Sequence, residues 1–155
     1  MKKASLTTLA LLALTPLVHA QTADAPARNA QEQKNLQIVT EFYDRFFNQH
    51  DLSIIPDFLD ENYIQHNPTV PTGRKAFTEA FPQFFQSMPS DAKMSTEIKH
   101  IYADGDFVIV HSHFKFNPAD RGSAVVDIFR LQNGKLAEHW DVIQAIPENP
   151  LNSMF

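Results

Sequence analysis

The sequence has no cysteine in its 155 residues, which excludes disulfides, thiolate chemistry and lipid attachment through a cysteine. It also lacks a lysine/arginine cluster: 13 basic residues stand against 18 acidic ones, a net charge of -5 with histidine neutral. An acidic chain without a basic patch is a poor match to a phosphate backbone, so no nucleic acid is expected as a partner. The longest apolar stretch, Ala4 to Val18, is shorter than the roughly 20 residues a membrane span needs, and Thr7, Thr8 and Thr15 dilute it. A glycine-rich phosphate loop is missing too. Gly73-Arg74, after Pro71-Thr72, carries a single glycine and reads as the start of a helix. There is no internal repeat and no sign of a second domain.

What is present begins with an export signal. Lys2 and Lys3 precede the short apolar stretch, and Val18-His19-Ala20 supplies the cleavage positions, so residues 1–20 read as a signal peptide. Cleavage after Ala20 would leave 135 residues, with 11 basic (13 less Lys2 and Lys3) against 18 acidic. The expected location is periplasmic or secreted, with no membrane insertion after cleavage. That length suits one domain able to bury a core and still keep a pocket. Thirteen phenylalanines point to an aromatic core or an apolar cavity wall.

Residues 21–33 are polar and Ala-rich and read as a flexible lead. From Leu36 the pattern changes: Leu36, Val39, Phe42, Tyr43, Phe46 and Phe47 fall at helical spacing, giving one apolar side to a helix over 34–48. Asp51 or Ser53 caps a short second helix toward Phe58, and Glu61 to His66 reads as an extended segment ended by Asn67-Pro68. A third helix over 74–88 carries Phe77, Phe81, Phe84 and Phe85 on one stripe, and Pro82 is expected to break or kink it. Four β-rich runs follow, over 93–102, 106–116, 123–131 and 135–146. Asp104-Gly105 and Asn133-Gly134 are hairpin signals, and a longer loop runs from Asn117-Pro118 to Gly122. Helices first and a strand meander afterwards give an α+β domain over 34–146, its N-terminal helices packed on a curved sheet, with a tail over 147–155.

Turn arithmetic then places polar residues. A two-residue turn at Asn133-Gly134 sets Leu131 opposite Leu136, Phe129 opposite Glu138 and Asp127 opposite Trp140. A loop symmetric about Asp120 would set His113 opposite Asp127, a softer register that a shift by one would flip. Together these predict a row of His113, Asp127 and Trp140 on one face, with His111 and Glu138 one step away. Asp127 lies among Val125, Val126, Ile128 and Phe129, and a carboxylate on the covered face of such a strand loses hydration and gains strength as a proton acceptor. A histidine beside it can hold the proton, and an indole can cover a substrate or donate its N–H. Such a set suits removal of a proton next to a carbonyl. The competing reading has Asp127 pointing to water or serving as a satisfied structural carboxylate.

His111 and His113 form an H-x-H that could offer two imidazoles to a metal, with His66 or Glu138 as third ligand, but no second spaced pair accompanies them and no metal is expected. Arg130 reads as a surface partner for an acid. Tyr43, on the apolar helix face, either packs in the core or reaches a pocket with its hydroxyl.

Three stretches carry a family resemblance: Tyr63 to Pro68, Pro71 to Arg74, and above all Val126-Asp127-Ile128-Phe129-Arg130 followed by Asn133 to Asp141. Over nearly all of 34–146 the sequence resembles the SnoaL-like polyketide cyclases, within the nuclear-transport-factor-two-like superfamily, and most of all the branch of predicted SnoaL-like aldol-condensation enzymes. The resemblance implies a cone-shaped α+β fold with an antiparallel or mixed sheet, a homodimer formed through the sheet, an apolar pocket and no cofactor. It also implies that Asp127 is the acid/base and His113 its partner. Trp140, His66, His111, Tyr43 and Glu138 are then expected to shape or polarise the pocket. The expected function is cofactor-independent acid/base catalysis on a small apolar carbonyl compound, as an aldol-type cyclase, isomerase or lyase. The alternative from another class is a periplasmic module that binds a small apolar molecule without turnover.

Overall fold

The computed structural model describes residues 29–88 and 93–155. The expected signal peptide and residues 21–28 of the lead lie outside the described residues, and residues 30–33, expected to be flexible, are helical. The first helix, α1 (Ala30–Phe42), starts four residues earlier than the apolar periodicity suggested, because a capping box defines its beginning. Asn29 Oδ1 accepts from the Glu32 amide at 2.9 Å, and Glu32 Oε2 accepts from the Asn29 amide at 3.0 Å. The chain continues into a π-helical turn, Tyr43–Asn48, whose wider winding keeps Phe42, Tyr43 and Phe46 all buried. Asp51 caps a short 3-10 turn at Leu52–Ile54, accepting from the Ser53 amide, and α2 (Ile55–Phe58) follows with Pro56 in its first turn, where a missing N–H costs nothing.

Strand β1 (Leu59–Gln65) leads into α3 (Arg74–Ser87), which continues through Pro82, so of the expected break or kink the break does not occur. The aromatic stripe explains the tolerance. Phe77 and Phe81 pack ring to ring at 4.2 Å and Phe81 meets Phe46 at 4.9 Å, so tertiary burial offsets the lost hydrogen bond. Strands β2 (Ser95–Asp104), β3 (Phe107–Lys115), β4 (Ser123–Gln132) and β5 (Lys135–Ala145) form the expected meander. The sheet order is β1-β5-β4-β3-β2, with β1 parallel to β5 and all other pairs antiparallel. The helices cover one face of this mixed sheet, giving an α+β cone. Its core joins Val39, Phe42, Tyr43 and Phe46 to Val108, Val110, Phe129, Leu131 and Leu136.

Two register details position everything that follows. Between β4 and β5 the pairing begins at Leu131↔Leu136, as the turn dictates, but then slips to Arg130↔Glu138. Ala137 is the extra residue, a bulge that reverses which side chains face inward beyond it. Asp127 therefore opposes Asp141, and Trp140 opposes Ile128 on the outer face. Between β3 and β4 the register sets Val110 against Asp127 and His113 against Ala124, three positions away from the symmetric-loop expectation. The loop is asymmetric because Asp120 gathers the amides of Gly122 and Phe116, and Gly122, at φ +81°, brings its backbone against the Phe114 carbonyl. An odd shift places His113 on the face opposite Asp127.

Candidate active site

The inner face of β4 and β5 carries Asp127, His139 and Asp141 below a cavity of about 330 Å³. Its walls are rich in phenylalanine, from the π-helical turn (Phe46, Phe47), α3 (Phe77, Phe81, Phe84) and the sheet (Phe114, Phe129), with Gln65, Asn67 and Thr69 on the β1 side. This is the size and character of a small-molecule site.

Asp127 is 6% exposed and has partners on both oxygens. Oδ2 accepts from the Tyr43 hydroxyl, and Oδ1 faces His139 Nε2 at 2.8 Å. Burial, reinforced by the adjacent Asp127 charge, pushes the Tyr43 phenol well above its ordinary range, so it stays protonated and donates. Burial raises the Tyr63 phenol as well, with Asp127 and Asp141 adding to the effect. The His139 ring lies on Phe129 at 4.6 Å, and its Nδ1 meets Gln65 Oε1 at 2.8 Å.

The orientation of Gln65 settles the histidine tautomer. The Asn67 backbone N–H can only donate, and it points at Gln65 Oε1 from 3.0 Å, while Gln65 Nε2 donates to the Tyr63 hydroxyl at 3.2 Å. His139 must then carry a hydrogen on Nδ1. Nε2 and the Asp127 oxygen, both lone-pair atoms once stripped of protons, are held at hydrogen-bond distance by one shared proton. The pair is an imidazolium with a carboxylate, or an imidazole with a carboxylic acid, and is neutral in either form.

Across from it, Asp141 is half-buried. Its Oδ2 accepts from Asn67 Nδ2 at 2.6 Å, and among the described residues its other oxygen has no hydrogen-bond partner. Ligand atoms of Asp127, His139 and Asp141 all lie within 4.8 Å of one another, a spacing that could hold a cation. The donor set argues for proton chemistry instead, because the imidazole nitrogen and the Asp127 oxygens already satisfy one another and the Tyr43 hydroxyl.

Of the site residues singled out from the sequence, only Asp127 lines the cavity, and Tyr43 reaches Asp127 from the core through its hydroxyl. His113 is on the outer face, where its Nε2 meets the Arg121 carbonyl at 2.7 Å and its ring lies 4.6 Å from Phe155. His111 is also outside, stacked on His100 at 5.6 Å. Trp140 stacks flat on His66 at 4.6 Å, and His66 bonds Glu138 at 2.8 Å, both on the outer surface. Glu138 holds Arg130 Nε at 2.8 Å as well, so Arg130 has the acidic partner expected of it. For Trp140 and Glu138 the cause is the parity reversal at Ala137, and for His113 and His111 the shifted register of the loop before β4. His139, Asp141, Gln65 and Asn67 were missed although all four fall in the stretches that carry the family resemblance; their alternation with Glu138 and Trp140 was the available signal.

A family model described as a SnoaL-like domain matches residues 39–139. Among solved structures, a protein named as a polyketide cyclase from Bacillus cereus ATCC 10987 has a TM-score of 0.62 at 22% identity, covering 77% of this chain and 80% of its own. A protein named as a ketosteroid isomerase from Kribbella flavida DSM 17836 has a TM-score of 0.62 at 16% identity, with 79% and 86% covered. A nuclear-transport-factor-2-like protein of unknown function from Burkholderia xenovorans LB400 gives 0.62 at 18% identity, with 79% and 92% covered. At these identities the likeness is one of fold. No curated protein matches the chain by sequence.

Proposed function

The chain belongs to the SnoaL-like family, and from that premise we propose that it is a cofactor-independent acid/base enzyme for a small, largely apolar carbonyl compound, acting as an aldol-type cyclase, isomerase or lyase. The observation that carries this reading is the 2.8 Å contact between Asp127 Oδ1 and His139 Nε2 beneath an aromatic cavity, with a second carboxylate across from it. Two acidic groups in different surroundings suit opposite halves of a proton transfer. Asp141, with a free oxygen, takes a proton from the carbon next to the carbonyl. The Asp127–His139 pair donates its proton to the oxygen on which negative charge develops and takes it back when Asp141 returns the other proton to carbon. Gln65 holds Nδ1–H so that the mobile proton stays on the cavity side, and Tyr43 keeps Asp127 aimed. Export by the signal peptide would place this chemistry in the periplasm or outside the cell, and mass analysis of the mature chain beginning at Gln21 checks that part.

The test is deuterium exchange into 2-tetralone, a neutral bicyclic ketone with acidic α-hydrogens, followed by proton NMR in D2O. The chain should accelerate exchange over buffer, and Asp127→Asn and Asp141→Asn should each lower that rate by roughly 10²- to 10⁴-fold. Binding of the ketone with exchange no faster than buffer would leave the non-catalytic binding module as the better reading.

A further inference from the structure

The cavity is unusual in its charge balance. Among the described residues that line it there is no lysine or arginine, while two carboxylates stand on its floor. The Asp127–His139 pair is neutral because it holds one shared proton. Asp141 is different: its only partner among the described residues is the uncharged amide of Asn67. Nine phenylalanines complete the lining, and the faces of aromatic rings carry negative potential. An anion entering this space would give up its hydration for ring faces and a carboxylate, with no lysine or arginine to receive it and His139 already paired with Asp127. A neutral or positively charged head group can instead donate to the free oxygen of Asp141.

We propose that the site is charge-selective: it takes neutral or cationic molecules with an aromatic or alicyclic body and a hydroxyl, enol or amine donor at one end, and rejects carboxylates, sulfonates and phosphates. This takes its location from the proposed function and narrows the substrate to compounds carrying no anionic handle. Asp141 is then a specificity-determining residue, while the phenylalanine walls set the shape and add their ring-face potential.

The experiment compares two fluorescent probes with one skeleton, N-phenyl-1-naphthylamine and its sulfonated counterpart 8-anilino-1-naphthalenesulfonate, titrated into the same protein. The neutral probe should bind at least about tenfold tighter, the preference of one unfavourable charge contact. Asp141→Asn should bring the two affinities within about threefold of each other. Ala80→Trp, which fills the cavity, should abolish binding of the neutral probe, with Val70→Trp as the substitute if that variant does not fold. Equal or tighter binding of the sulfonate, a preference unchanged by Asp141→Asn, or no binding of either probe would overturn the proposal. If the preference holds while 2-tetralone exchange stays at the buffer rate, the catalytic reading fails and the charge selection stands.

Discussion

Gln65 controls more than its own hydrogen bonds, because its carbonyl oxygen decides which histidine nitrogen is free for chemistry. Replacing it by leucine removes the acceptor for Nδ1–H and leaves the ring able to take the other tautomer. In ¹⁵N-edited NMR of the histidine side chains, His139 should show a protonated Nδ1 in the wild-type chain, and Gln65→Leu should alter that pattern. A wild-type spectrum with Nδ1 bare would refute the proton assignment. Glu138 offers a separate check on the outer face. Its carboxyl is held below the ordinary glutamate range by the hydrogen bond from His66 and then by Arg130. A folded-state value below the unfolded one adds stability that is complete above about pH 4.3 and is lost as pH falls through the folded value. Glu138→Gln should therefore lower Tm at pH 7, with the difference from wild type closing in acid; a difference constant with pH would contradict the assignment. At this scale Asp127 was readable from the sequence, since a carboxylate inside an apolar strand has few outlets. Its partner was not, because His113 and His139 are equally plausible until the parity of two strands is known.

The elements themselves were readable. Helical spacing from Leu36, a phenylalanine stripe on α3 and two Gly-containing turns suffice to order three helices before a meander. Their ends and registers depended on contacts that no local pattern encodes, such as the Glu32 carboxylate reaching the Gly105 amide at 3.1 Å to anchor the start of α1. The loop before β4 shows how a single backbone position fixes a register. A Cβ on Gly122 would lie 2.2 Å from the Phe114 carbonyl oxygen, and its φ of +81° is costly for any residue with a side chain. Gly122→Ala should destabilise the fold by at least about 1 kcal/mol in chemical denaturation. A variant as stable as the wild type would mean that the loop does not hold β3 and β4 in place.

For the molecule as a whole, the outer face of the sheet is less polar than a surface bathed in water requires. Tyr102, Phe107, Ile109, Val126 and Val142 are 38–71% exposed there. We propose that this face joins two copies into the homodimer that the resemblance implies. Light scattering on the eluting protein should give twice the chain mass, and Val142→Asp should yield monomers; a wild-type monomer at tens of micromolar would remove the idea. The α+β architecture was legible because four long β-rich runs follow the helices in sequence, while the cavity's location depended on which sheet face the helices cover. The bond from Tyr43 to Asp127 links positions 84 residues apart, one near the start of the domain and one near its end. A partly folded chain with a finished sheet and an undocked first helix would thus hold every acidic group and still be inert. Under the proposed function, turnover would therefore report on the docking of that helix as much as on the sheet.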